Sequence, residues 1–146
     1  MKISTKGRYS LRMLIDLAMN CKEGEFVSLK EIAERQNISK KYLEQIVPML
    51  SKAGLLKANR GYQGGYMLSK PADKYTVGEI LRLTEGNLAP VSCLESEVND
   101  CPRANECITL SVWQGLYDVI NKYLDSITLQ DIINKSPFAQ GDGYYI

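Results

Sequence analysis

The sequence predicts a mainly α fold, with a helix-turn-helix followed by a small β-hairpin and a long helix near the C-terminus. Three observations predict it. Residues 28–50 hold two short runs of helical period, each opened by a serine. Residues 55–68 hold two strand-like pieces around a glycine-rich tip. From residue 108 to about residue 127 the helical period returns, its apolar positions stepping by four, three and four.

In order, residues 1–20 read as a first helix. Thr5 can cap it, and Tyr9, Met13, Ile15, Leu17 and Ala18 give mixed apolar faces. Lys2, Lys6, Arg8 and Arg12 form a basic edge near its start, where the helix dipole prefers anions. Two readings of that edge stand together, a solvated face and a surface for backbone phosphates. Cys21, where the helix ends, reads as a small buried hydrophobe.

Ser28 with Glu31 three residues on is a capping box, and Leu29, Ile32 and Ala33 follow it. Asn37 breaks the pattern and Ser39 offers a fresh N-cap. Tyr42, Leu43, Ile46, Val47 and Leu50 then make a second apolar face. Lys40, Lys41, Glu44 and Gln45 lie on or beside the free face of this second helix, and Gly54 ends it. Leu55 to Ala58 and Tyr66 to Leu68 flank the tip Arg60-Gly61-Tyr62-Gln63-Gly64-Gly65. Such a tip makes a poor core but an accessible backbone. This is the outline of a winged helix-turn-helix DNA-binding domain, whose second helix enters the major groove and whose wing touches phosphates or the minor groove.

Charge supports that outline. Residues 1–70 hold 13 Lys and Arg against 6 Asp and Glu, and residues 71–146 hold 5 against 11. The overall charge of +1 therefore conceals a basic N-terminal half suited to DNA phosphates and an acidic remainder.

After the wing, Lys70 to Asp73 reads as a turn, and Thr76 caps a helix from Val77 to Glu85 that Gly86 stops. Residues 87–92 connect to a loop short of apolar residues. Val112, Leu116, Val119 and Tyr123, widened by Trp113, Ile120, Leu124 and Ile127, then form a stripe that needs a partner surface. That partner is either the first helix or the same helix of a second copy. The second fits better, because a homodimer presents two recognition helices to a palindromic or pseudo-palindromic operator. Residues 128–133 read as a final short helix, and the tail SPFAQGDGYYI as loosely held. The organisation expected is a DNA-binding domain over 1–86, a cysteine loop over 87–107, and a dimerisation helix with tail over 108–146.

At 146 residues the chain forms one domain, or one with an extension folded on it. No run of 18 apolar residues and no signal-peptide core are present, so no membrane is expected and the cytoplasm is the expected location. The chain has no histidine, and no glycine-rich phosphate loop opens a helix, so an enzyme is not expected.

Cys93, Cys101 and Cys107 are spaced C-x7-C-x5-C ahead of the long helix. Thiolates suit iron–sulfur clusters and zinc, but paired C-x2–4-C hooks are missing. The spacing leaves three readings: an iron–sulfur cluster, a reactive thiol switch, or inert cysteines. A fourth ligand would come from Glu95, Glu97, Asp100, Glu106 or Cys21, from a partner subunit, or from an exogenous thiol.

MKISTKGRYSLRMLIDLA, YLEQIVPMLSKAGLL, RGYQGGYMLSK, TVGEILRLTEG and SITLQDI resemble the Rrf family of bacterial winged-helix regulators over nearly the whole chain. The resemblance implies a homodimer whose long helix, about Ile108–Ser126, crosses its partner. It implies DNA reading by Lys41, Glu44 and Gln45, with the wing's Arg60 in the minor groove. Tyr62 of the wing tip and Lys6 and Arg8 of the basic edge, read from the residues themselves, complete the expected DNA contacts. It implies that Cys93, Cys101 and Cys107 are metal ligands holding an iron–sulfur cluster of the 2Fe-2S type, as in the IscR members. The first cysteine gap is about two residues longer than usual. Leu110 stands where the IscR type has its histidine ligand, and Arg8 where the NsrR type has its aspartate. The YYI tail resembles the cluster-free CymR type, which regulates cysteine metabolism and lacks the three cysteines. The function expected is a dimeric transcription regulator that senses iron–sulfur or redox status. The alternative is a cluster-free regulator of sulfur or cysteine metabolism controlled by a partner protein or by thiol oxidation.

Overall fold

The first helix, α1, spans Thr5–Asn20 in a computed structural model that describes residues 1–137. Its cap is Ser4 rather than Thr5: the Gly7 N–H donates to Ser4 Oγ at 3.1 Å. No acidic residue lies in its first turn. The missing anion comes from elsewhere, because the Ser4 N–H and hydroxyl donate to Glu85 Oε1 at 3.1 and 2.7 Å. A carboxylate from residue 85 thus sits at the positive end of α1 and offsets the misplaced cations. A Cβ on Gly7 would push against the Glu85 carboxylate and displace it from the Ser4 cap.

The Ser28–Glu31 capping box opens α2 (Leu29–Gln36), and Asn37 closes it in the left-handed conformation at φ 53°. Ser39 caps α3 (Lys40–Lys52) by accepting from the Tyr42 N–H at 3.1 Å. Pro48 lies inside α3, where a proline costs about 3 kcal/mol. The helix continues through it because Leu43, Ile46, Val47 and Leu50 are all buried, each worth about 1.5–3 kcal/mol. Burial wins.

The wing is an antiparallel pair, β1 (Leu56–Asn59) with β2 (Gly65–Leu68), in register from Leu56 opposite Leu68 to Asn59 opposite Gly65. Val27 adds a bridge to Tyr66, with hydrogen bonds of 2.9 and 2.8 Å. The approach is so close that a Cβ on Gly65 would collide with the Val27 carbonyl oxygen. The base of the hairpin is pinned by Tyr75, which is fully buried. Its hydroxyl donates to the Leu55 carbonyl at 2.6 Å and accepts from the Ser69 N–H at 3.0 Å, gripping both ends of the wing.

Thr76 caps α4 (Val77–Glu85), and Gly86 ends it at φ 84°. Two single-turn 3-10 segments, Ala72–Lys74 and Ser92–Leu94, flank this region. The long helix α5 is Leu110–Asp125, and α6 is Leu129–Lys135. Thr128 and Asp131 form a capping box on α6, and the Thr128 N–H and hydroxyl hold the Asp131 carboxyl below its ordinary range. A depressed carboxylate contributes above its unfolded value, so this cap weakens as pH falls through the folded one.

Met13, Leu14, Leu17, Ile32, Leu43, Ile46, Leu50, Tyr75, Ile80 and Leu129 share one core. A second cluster joins Val77, Leu81 and Leu88 to Tyr117, Ile120, Leu124 and Ile127. The α5 stripe is therefore split. One edge packs on α4, while Val112, Leu116, Val119 and Tyr123 remain 57%, 42%, 63% and 63% exposed. No helix among the described residues is long and apolar enough to cross a membrane. The tail beyond Pro137 lies outside the described residues.

Candidate nucleic-acid interface and cysteine loop

The helical period of α3 buries Leu43, Ile46, Val47 and Leu50, and so turns Lys40, Lys41, Glu44 and Gln45 outward. Arg60 and Tyr62 are exposed at the wing tip, Tyr62 completely. α3 and the wing meet across one groove: Lys40, Glu44, Pro48 and Ser51 of α3 and Asn59, Arg60 and Tyr66 of the wing line it, together with Lys30 of α2. Lys40 Nζ lies 3.9 Å from Glu44 Oε1 between two exposed side chains, a weak surface pair. The groove therefore carries Lys30, Lys40 and Arg60 beside a single Glu44.

Lys6 and Arg8 are exposed on the first turns of α1, where Arg8 Nη2 donates to Thr5 Oγ1 at 3.2 Å. Tyr9 joins this helix to α3 through an edge-on contact with Tyr42, ring centroids 5.3 Å apart. Arg12 lies 5.2 Å over the Tyr9 ring and donates to the Gln36 carbonyl and, at 3.3 Å, to Gln36 Oε1. Lys30 lines the groove without having been picked out from the sequence, whereas Arg12 already belonged to the basic edge. The available signal was the position of Lys30 in the first turn of α2.

Beneath this surface is a network that the sequence reading also missed. Asp16 is buried in α1, 1% exposed, and accepts from Arg35 Nη2 at 2.8 Å, Arg35 Nε at 3.0 Å and Gln36 Nε2 at 2.9 Å. Hydrogen bonding to Asp16 raises the Arg35 pKa. The turn between α2 and α3 is thereby tied to α1.

All four cysteines are free thiols. Cys21 is half-buried with Sγ 2.7 Å from the Glu25 carbonyl, and burial, aided by the Glu25 charge, pushes its pKa up. Cys93 is half-buried in the Ser92–Leu94 turn and Cys101 is exposed. Both line a concavity with Ser92, Ser96, Val98 and Asp100. Cys107 does not line it; its Sγ lies 3.5 Å from Thr109 Oγ1, and hydrogen bonding to Thr109 lowers its pKa. Soft thiols are the right donors for an iron–sulfur cluster. As arranged they do not fit one, because among the described residues no three Cys, Asp or Glu side chains converge into a ligand set. Leu110 and Arg8 bring no fourth ligand either.

A helix-turn-helix with an exposed polar recognition face, joined to a basic hairpin across one groove, defines a winged helix-turn-helix protein of the DNA-binding class. Residues 3–135 match the Rrf2 family, described as iron-dependent transcriptional regulators, and the chain belongs to it. The transcriptional regulator CymR of Bacillus subtilis is 45% identical over 132 residues, 90% of this chain and 89% of its own. The regulator IscR of Pectobacterium carotovorum is 37% identical over 134 residues, covering 92% of this chain and 80% of its own. Among solved structures, CymR, described as the global cysteine regulator of B. subtilis, matches with TM-score 0.76 at 41% identity, covering 93% of this chain and 98% of that one. The IscR of T. potens matches with TM-score 0.74 at 41% identity, covering 99% and 95%. The chain is a transcription regulator, not an enzyme.

Proposed function

We propose that this chain is a cytoplasmic homodimeric regulator that reads two half-sites of a palindromic or pseudo-palindromic operator, with the cysteine loop as its signal input. The observation that carries the reading is the shared groove between α3 and the wing. α3 enters the major groove of double-stranded DNA, where Lys41, Glu44 and Gln45 face base edges. Arg60 and Tyr62 reach the minor groove or its phosphates, and Lys6 and Arg8 of α1 lie against the backbone. Residues 1–86 form the reading unit, 87–107 the input and 108–146 the dimerising segment. The exposed Val112, Leu116, Val119 and Tyr123 support the dimer.

A carboxylate accepts from the cytosine amino group and is repelled by misplaced acceptors, so Glu44 acts as a discriminator. Glu44→Ala relaxes preference at one base position, removing about 1–3 kcal/mol of discrimination. Arg60→Ala instead weakens binding to every sequence and lowers the salt slope by about 1. Titrations of both variants against a panel of single-base operator changes check this. Unchanged ratios between sites for Glu44→Ala would overturn its role.

For the input, an iron–sulfur cluster, of the 2Fe-2S type, draws support from the three soft thiols and the likeness to IscR. The second reading is cluster-free thiol control, and the separation of Cys107 from the other two thiols favours it. An anaerobic absorption spectrum with iron and sulfide analysis separates them. Visible absorption lost in a Cys93/Cys101/Cys107→Ala triple variant establishes a cluster. A colourless protein, with iron and sulfide supplied, leaves thiol control.

A further inference from the structure

We infer that the three cysteines divide two and one: Cys93 and Cys101 form a reversible dithiol–disulfide pair, and Cys107 stays outside it. The inference deepens the thiol-control reading and rests on it for any effect on DNA. Cys93 and Cys101 open into the same concavity, one half-buried and the other exposed to an incoming reagent. Between them, residues 95–100 form neither helix nor strand, so bringing the two sulfurs together breaks no helical or sheet ladder. Cys107 is held apart beyond the turns Cys101–Ala104 and Arg103–Glu106, against Thr109 at the start of α5.

The oxidant is a low-molecular-weight disulfide. The exposed Cys101 thiolate attacks one of its sulfurs and expels one thiolate, leaving a mixed disulfide on Cys101. The Cys93 thiolate then attacks the Cys101 sulfur and expels the second small thiol. Two protein thiols lose two protons and two electrons, and the reagent leaves as two thiols. The closed ring shortens the loop that leads into α5, the helix proposed to set the spacing of the recognition helices.

The sequence makes the test direct. Tryptic cleavage after Arg82, Arg103 and Lys122 places Cys93 and Cys101 together on 83–103, and Cys107 alone on 104–122. The full-length protein, isolated without oxygen, is treated with oxidised glutathione, alkylated and digested without reductant. The expected result is an unalkylated 83–103 peptide lighter by two hydrogen atoms, an alkylated 104–122 peptide and a monomeric band on a non-reducing gel. A Cys93→Ser variant accumulates a lasting glutathione adduct on Cys101. A cross-link between 83–103 and 104–122 overturns the division. So do two separate adducts on 83–103, or a cluster in the isolated protein that each of the three single cysteine variants abolishes. DNA binding is read on a duplex that the reduced protein selects from a random pool. The disulfide is expected to change that affinity about tenfold or more. A disulfide that forms with affinity unchanged supports the pair and overturns the loop as input. An affinity change without a disulfide overturns the pair and leaves thiol control standing.

Discussion

Replacing Arg35 with alanine is expected to destabilise the fold more than replacing its partner Asp16, by about 3–5 against about 2–3 kcal/mol. The order follows from burial. Asp16 is 1% exposed, whereas the Arg35 side chain is 37% exposed. Removing Arg35 strands a carboxylate in the protein interior, with only Gln36 Nε2 left to donate to it from a side chain. Removing Asp16 frees a guanidinium that can turn back to water, so the loss is mainly two hydrogen bonds from Arg35 and one from Gln36. Denaturant unfolding of both variants, with shifts in midpoint at unchanged slope, reads the difference. Equal losses, or a larger loss for Asp16→Ala, would show that the pair is not governed by desolvation of the carboxylate. Because Gln36 also receives Arg12, both variants loosen the approach of α1 to the recognition unit.

Leu116→Asp is expected to break the proposed dimer and, with it, operator binding. Leu116 lies mid-way along α5 in the exposed part of the stripe, between Val112 and Val119. In a twofold interface the substitution is counted twice. Losing two partly exposed leucines and placing two carboxylates in their stead costs about 3 kcal/mol or more, roughly a hundredfold in the dimer constant. A monomer holds one half-site at a time, so the gain from linking two readers is lost, again about a hundredfold or more. Sedimentation gives the assembly state and gel shifts the binding. The folded monomer should survive, since Leu116 lies outside both buried clusters. A Leu116→Asp protein that remains a dimer would place the interface on another surface.

Much of this molecule was legible in local chemistry. The Ser28–Glu31 box, the Ser39 cap, the Thr76 cap and Gly86 act over three or four residues, and each element begins or ends where those residues put it. The wing was legible for a similar reason, because glycines around Arg60 and Tyr62 leave little else for that stretch to form. Thr5 was mistaken for the first cap because Ser4 and Thr5 are adjacent hydroxyls. Ser4 is the cap, and its hydroxyl also donates to a carboxylate 81 positions away.

The long-range pairings were not legible. Asp16 carries no local signal in the sequence, and only packing against α2 makes it a buried acceptor for Arg35 and Gln36. The α5 stripe announced apolar surface but not its division into an edge covered by α4 and an exposed edge. The C-x7-C-x5-C spacing announced three thiols near one another along the chain, not in space, where Cys93 and Cys101 share a concavity that Cys107 does not. Composition, caps and periodicity act through neighbours within a helical turn, and they determined the elements and the charge of the DNA-reading half. Which carboxylate meets which cation was decided by contacts between residues far apart in the chain, and which thiols share a concavity by the folding of the loop. Those contacts exist only once the elements have packed.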